Sequence, residues 1–320
     1  MRTKACLVTG GAGFIGSHVA EALLNLGHRV RIVDNLSTGS ESNLDGFRER
    51  VEFVLGDLTD PRICERVVDG VEWVFHLAAL PSVPRSMKDP WASHEHNAAA
   101  TLRLLIAARD AKVGRVVYSS SSSVYGDTPV LPKVETMEPL PRSPYAVAKL
   151  SGEQYVLSFA RAGLVEGAAL RYFNVFGPRQ TPNSAYAAVI PSFMAAARDG
   201  TPARLFGDGE QTRDFTFVRN VVHANLLAAG ATGAAANGVV VNCGAGGRTS
   251  LLDLVHLIEV VSGRPVPLER QAPRPGDVRD SLASLDRARA LFGYEPITPL
   301  KEGLEETWQW FCEGAPAAPA

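Results

Sequence analysis

The stretch Thr9-Gly10-Gly11-Ala12-Gly13-Phe14-Ile15-Gly16 decides how the rest of the chain is read. Ahead of it stands Ala5-Cys6-Leu7-Val8, an unbroken apolar run of the kind that forms a strand buried on both faces. Behind it Ile15, Val19, Leu23 and Leu26 recur at helical spacing, and Gly27 ends the pattern. Gly10, Gly13 and Gly16 therefore fall in a strand-to-helix turn. Bare backbone there permits a tight turn, the approach of a pyrophosphate, and close packing of helix on strand. The first turn of the helix offers that anion unpaired N–H groups and the positive end of its dipole.

Many glycine turns bind nothing, so the context matters. Val30-Arg31-Ile32-Val33 reads as a second strand, and it ends in Asp34, about 20 residues beyond the turn, where a carboxylate can accept from an adenosine ribose. The same charge repels a 2′-phosphate, which favours NAD over NADP. Further strands are expected at residues 51–55, 73–77, 113–118 and 168–172, with helices from near Pro61, over roughly 91–110 and over 144–161. The fifth strand runs into five serines, Ser119, Ser120, Ser121, Ser122 and Ser123. Such alternation implies an α/β fold with a doubly wound parallel sheet (a Rossmann fold), whose ligands gather at the strands' carboxyl ends.

After about residue 174 prolines break the pattern into shorter elements, with helices expected at 248–261, 286–292 and 299–311. We read residues 1–174 as the NAD-binding domain. Residues 175–320 read as a smaller substrate-binding lobe that returns segments to the main sheet, and residues 315–320 as a frayed tail. The 320 residues and 34.2 kDa suit this division. The net charge of −2 argues against a nucleic-acid partner, and no apolar run reaches the ~20 residues of a membrane span. The first strand starts too early to leave room for a signal peptide. Cys6, Cys64, Cys243 and Cys312 show no Cys-x-x-Cys pairing, so reduced thiols and a cytoplasmic location are expected.

Tyr145 and Lys149 are four apart on an expected helix and share a face. A nearby ammonium and the positive nicotinamide of NAD would favour the phenolate and make Tyr145 a base near neutrality. A Tyr-x-x-x-Lys pair alone also describes a solvated helix face; the preceding glycine turn and serine-rich strand end favour catalysis. His94-Glu95-His96 would point its imidazoles to different faces, so we expect a solvated helix start and no metal. His76 reads as a structural hydrogen-bonding residue, and Trp308 and Trp310 as packing of a last helix.

Together these stretches resemble the extended short-chain dehydrogenase/reductase family, and within it the nucleotide-sugar epimerases, over nearly the whole chain. The likeness rests on Thr9 to Gly16 with Ser17-His18, Asp34-Asn35, Gly56-Asp57, His76-Leu77-Ala78-Ala79, and the serines leading into Val124-Tyr125-Gly126. It continues through Ser143-Pro144-Tyr145 with Lys149, Arg171-Tyr172-Phe173-Asn174, Arg213-Asp214 and Arg274-Pro275-Gly276-Asp277. The resemblance implies Tyr145, Lys149 and Ser121 as catalytic residues. It implies NAD held by Gly10, Gly13, Phe14, Ile15, Gly16, Asp34, Asn35, Asp57, Leu58, Leu77, Ala78 and Ala79, with Asp57 at adenine, Asn97 near the nicotinamide, and Lys149 on the nicotinamide ribose. On the substrate it implies Asn174 at the diphosphate, Arg213 at a phosphate, Phe206 stacked on uracil, and Arg274 with Asp277 at the uridine ribose. Ser122, Ser123, Tyr145, Val189 and Ser281 would complete that site. The family's usual Asp-Asp pair is here Arg219-Asn220, a corner with no assigned role.

Related 4,6-dehydratases carry Asp-Glu before the Val-Tyr-Gly, and UDP-glucuronate decarboxylases a Glu; Ser122 and Ser123 stand there instead. The resemblance thus implies a UDP-sugar 4-epimerase working through a 4-keto sugar, with Tyr145 as base and Ser121 bonded to the reacting oxygen. Ser281 replaces the bulky tyrosine of UDP-galactose-only enzymes, which implies room for an N-acetyl group. Alternatives are a UDP-glucuronate 4-epimerase, in which Arg85 or the serines meet the carboxylate, a 4-keto nucleotide-sugar reductase that releases its cofactor each cycle, and a catalytically silent dinucleotide-binding regulator. The resemblance also implies a homodimer through the helices at 91–110 and 144–161.

Overall fold

Strand β1 (Ala5–Thr9), helix α1 (Phe14–Asn25) and strand β2 (Arg29–Asp34) form around the glycine turn. The structure is a computed structural model and describes residues 2–180, 188–272 and 279–313. The chain continues through β3 (Glu52–Leu55), α2 (Pro61–Val68) and β4 (Trp73–His76). Short helices α3 (Val83–Lys88) and α4 (Pro90–His94) lead through a five-residue π turn (Glu95–Ala99) into α5 (Ala100–Asp110). Then come β5 (Arg115–Ser121), α6 (Pro144–Arg161) and β6 (Glu166–Tyr172). Capping explains several starts: Asp60 accepts from Arg62 N at 2.9 Å and Ser143 from Ala146 N at 3.2 Å, each just before a first-turn proline.

The second half contains β7 (Val175–Phe176), α7 (Val189–Asp199), β8 (Ala203–Phe206), β9 (Thr212–Arg213), β10 (Thr216–Phe217) and α8 (Val218–Gly230). It closes with β11 (Val239–Cys243), β12 (Thr249–Ser250), α9 (Leu251–Ser262), β13 (Leu268–Gln271), α10 (Asp286–Phe292) and α11 (Leu300–Glu313). Among the described residues the main sheet has seven strands in the order β3-β2-β1-β4-β5-β6-β11, every pair parallel. The order reverses between β1 and β4. Loops leaving those two strands diverge, and the crevice between them is where a doubly wound sheet receives its ligand.

Alternate residues of the strands face opposite layers. Val8, Val30, Ile32 and Phe75 pack with Val19 and Leu23 of α1 and Val221 of α8. Leu7, Val33, Val54 and Val74 pack with Val67 of α2, Leu104 of α5 and Val156 of α6. A third cluster joins α7, α9 and α11 through Phe193, Leu254 and Phe311 beneath the small β8–β13 pair.

Two expectations change. The helix expected at 91–110 is several pieces, because the π turn Glu95–Ala99 interrupts it. The fifth strand runs on to Ser121, so most of the serine run is strand rather than loop. The Arg219-Asn220 corner is structural: buried Asn220 donates to Thr298 O at 2.8 Å and accepts from Ile297 N and Thr298 N, while Arg219 pairs with Glu306 at 2.6 Å. Together they fasten α8 to the entry of α11. The tail expected at 315–320 lies outside the described residues.

Candidate active site

A cavity of about 760 Å³ opens along the carboxyl ends of the central strands. At one end the glycine turn forms its floor. Gly10 has φ +65°, and a Cβ there would stand 2.8 Å from Ala78 N and Cα, so only glycine lets the β1 turn touch the end of β4. Gly13 is the N-cap of α1 and offers no side-chain cap, which leaves the helix's first N–H groups facing the cavity. Thr9 Oγ1 accepts from Leu77 N and Ala78 N and meets His76 Nδ1 at 2.8 Å, tying the two strand ends together.

Asp34, at the end of β2, accepts from Ala12 N at 3.0 Å through Oδ2 and from Leu36 N at 2.8 Å through Oδ1. Burial pushes its carboxyl up and those N–H groups pull it back. The carboxylate lines the cavity, where it can accept from a ribose hydroxyl. Burial also raises the Asp57 carboxyl, but Thr59 N–H and the Asn35 amide, donating at 2.7 Å, outweigh it and hold Asp57 below the usual range. Phe14, Ile15, Gly16, Leu58, Leu77, Ala78 and Ala79 complete this end. A bare helix start, an oriented carboxylate and apolar walls fit an adenine dinucleotide.

At the other end Ser121 and Tyr145 face each other across the strand–helix junction. Ser121 Oγ accepts from Ser123 N at 3.2 Å and Ser123 Oγ at 2.9 Å, which leaves its own O–H to donate. Ser120 is committed elsewhere. It donates to buried Glu153 at 2.7 Å, and Glu153 pairs bidentately with buried Arg171 at 2.9 and 2.7 Å. That pair fixes α6 against β5 and β6, and breaking it by removing one partner costs about 3–5 kcal/mol.

Burial pushes Tyr145 up to about 12, against the Ser121 hydroxyl, and pushes Lys149 down to about 7. Of the two charges expected to favour the phenolate, the ammonium does not offset this burial, because one desolvated wall disfavours the charged forms of both groups. An oxidised nicotinamide carries the extra positive charge that would bring the phenol into range. His76 is structural, as read from sequence: its nitrogens engage Thr9 and Thr101 at 2.8 and 2.9 Å, and burial holds it near 3.

Asn174, Arg213 and Ser281 line the substrate end with Ser122 and Ser123. Asn174, at φ +27°, donates to Ser281 Oγ at 3.1 Å, and Arg213 donates to Thr212 O and Arg279 O. Three expected residues do not line the cavity as the described residues bound it. Asn97 is buried behind the wall, its amide spent on Leu80 N, Leu80 O and Ser93 O. Val189 opens α7, where its neighbour Ala188 faces the cavity. Phe206 ends β8 with its carbonyl accepting from Gln211 Nε2 at 2.6 Å. Arg274 and Asp277 lie outside the described residues.

Two lining residues were missed. His96, read from sequence as part of a solvated helix start, lies in the π turn and lines the cavity, its Nδ1 3.7 Å from Asp57 Oδ1. Lys133 is carried in by a β-bridge to Ala283, its ammonium donating to the carbonyls of Thr128 and Val130. The carboxylates among the described lining residues are Asp34 and Asp57, both at the dinucleotide end.

A doubly wound sheet with a glycine-turn cradle, a Tyr-x-x-x-Lys pair and a serine strand end defines a dinucleotide-dependent enzyme class that works on hydroxyl-bearing substrates. The chain belongs to the NAD dependent epimerase/dehydratase family, whose match spans residues 6–244. It is 40% identical over 315 residues to a UDP-glucose 4-epimerase of Mycolicibacterium smegmatis, covering 97% of this chain and 98% of that one. Among solved structures it is similar to a UDP-N-acetylglucosamine 4-epimerase from Methanobrevibacter ruminantium in complex with UDP-N-acetylmuramic acid, with TM-score 0.92, 40% identity, and 98% and 99% of the two chains covered. A UDP-glucose 4-epimerase from Thermotoga maritima with UDP-glucose matches at TM-score 0.91 and 38% identity, over 97% and 99%.

Proposed function

We propose that the protein is a UDP-hexose 4-epimerase, taking UDP-N-acetylglucosamine and UDP-N-acetylgalactosamine as well as UDP-glucose and UDP-galactose. The observation that carries this is the composition of the reacting end: serine hydroxyls, the Tyr145 phenol and the Lys149 ammonium, with no carboxylate among the described residues there. A dehydratase needs an additional acid and base to take water out of the ring, and serines cannot serve. Inverting one carbinol needs a single base at the oxygen, and Tyr145 supplies it. Bound NAD supplies a reversible hydride acceptor. Tyr145 takes the proton of the 4-hydroxyl, Ser121 donates to that oxygen as it becomes a ketone, and Lys149 favours the phenolate and holds the nicotinamide ribose. The short serine side chains leave room for the keto sugar to turn. Arg213 and Asn174 hold the diphosphate.

The test is turnover of a panel of UDP-sugars by purified protein. The expected result is interconversion of the 4-epimers with no added cofactor, and NAD rather than NADP released on denaturation. Exclusive turnover of UDP-glucuronate, or a stoichiometric demand for reduced cofactor, would overturn the proposal. Inertness toward the whole panel would leave the regulator reading.

Among the described residues no helix is long and apolar enough to cross a membrane, and a cytoplasmic location fits a nucleotide-sugar substrate. A homodimer is proposed through α3 to α6. Met87, Trp91, Ile106 and Val147 are exposed apolar residues on four helices that pack on one another, with Trp91 73% exposed. Light scattering at micromolar concentration should give twice the chain mass; a monomer mass would sink it.

A further inference from the structure

Lys149 and Tyr118 meet in a way the reaction scheme does not use. Lys149 Nζ lies 4.7 Å from the centroid of the Tyr118 ring, and no ion pair to Lys149 occurs among the described residues. Tyr118 is 1% exposed on β5, on the strand face it shares with Ser120, toward α6. Its position is fixed from several sides. The phenol donates to Lys149 O at 3.3 Å and nests against Gly152, where a Cβ would stand 2.3 Å from the phenol oxygen. A glycine within α6 is unfavourable for the helix, and the space it leaves is filled by this ring. Beyond Tyr118 the His76 ring stands 5.5 Å away.

We propose that Tyr118 is a positioning residue whose ring face holds the Lys149 side chain in place and in its ammonium form at the cavity wall. The proposal rests on reading Lys149 as catalytic. The groups facing Lys149 are few. On α6 there are Tyr145 and Glu153, the latter already paired with Arg171 of β6 and bonded to Ser120; on β5 there is Tyr118, and on β4 the neutral His76. Burial alone pushes Lys149 down to about 7, and a positive nicotinamide would push the same way. A ring quadrupole attracts the ammonium and not the free amine, so it acts in the opposite sense, and most strongly where water is excluded.

Lys149 is charged below its pKa. Removing the ring should therefore bring the high-pH limb of turnover down by roughly one pH unit, the shift that a desolvated cation–π contact is worth. The holoenzyme is assayed across pH for Tyr118→Leu and Tyr118→Phe. The Lys149 13Cε resonance of lysine-labelled holoenzyme, assigned with Lys149→Arg, is titrated in parallel. Tyr118→Leu should lower both midpoints by about that unit, and Tyr118→Phe, which keeps the ring, should leave both with the parent. Unchanged midpoints in the leucine variant would overturn the proposal. So would a phenylalanine variant that shifts as far as leucine, because the hydroxyl would then be the cause. Should leucine prevent folding, Tyr118→Met, bulky but without a ring face, is read by the same criteria. If Lys149→Met kept turnover, the catalytic reading would fall while a shifted resonance still upheld the contact, so the two failures are distinct.

Discussion

Tyr145→Phe is expected to lower turnover roughly 10²- to 10⁴-fold, about 3–5 kcal/mol of transition-state stabilisation, while fold and bound NAD are retained. Asp34 and Asp57 stand at the opposite end of the cavity, and His76 lies behind the wall with both nitrogens engaged. Ser121 is an alcohol whose proton is no easier to shed than the substrate's own. Lys149, one helical turn on from Tyr145, is the nearest substitute, and burial brings it to about 7, so an amine acting weakly as base sets the residual rate. The variant keeps the ring that fills the start of α6, so melting temperature and NAD content should follow the parent. Turnover within a few-fold of the parent, with NAD in place, would remove Tyr145 from the base role.

Ser281→Tyr should abolish use of UDP-N-acetylglucosamine, a loss of at least about 100-fold in kcat/KM, and spare UDP-glucose and UDP-galactose. Ser281 is nearly buried in the cavity wall, and its backbone N–H donates to Thr212 O at 3.1 Å, which prevents the segment from backing away. A phenol grafted there has to extend into the space assigned to the 2-acetamido group. The change also removes the hydroxyl that accepts from Asn174, so a small loss on every substrate is expected, about the worth of one hydrogen bond. Selectivity is the discriminating readout: the ratio of UDP-N-acetylglucosamine to UDP-glucose turnover must collapse. A parent that never turned over the N-acetylated sugar, or a tyrosine variant that still did, would show that another part of the wall sets the pocket.

The sheet and the dinucleotide end were legible along the chain because the properties that make them are local. An apolar run, three glycines at fixed offsets and an acid at the next strand end each state a backbone requirement that neighbours satisfy. Tyr145 and Lys149 were legible for the same reason, since helical spacing alone puts them on one face. Asn97 was less legible, because nothing local says that Leu80 and Ser93 take up its amide.

By itself, then, the sequence determined the strand–helix alternation, the cradle for the phosphates, the pair at the head of α6 and the missing carboxylate beside it. Tertiary structure decided the rest. The π turn carries His96 into the cavity, the bridge to Ala283 brings in Lys133, and Gly152 makes room for the ring under Lys149. It also decided the charges, because desolvation acts on whatever packing closes off from water. The same phenol and ammonium that look like a ready base on a helical wheel stand near 12 and 7 once the wall is built.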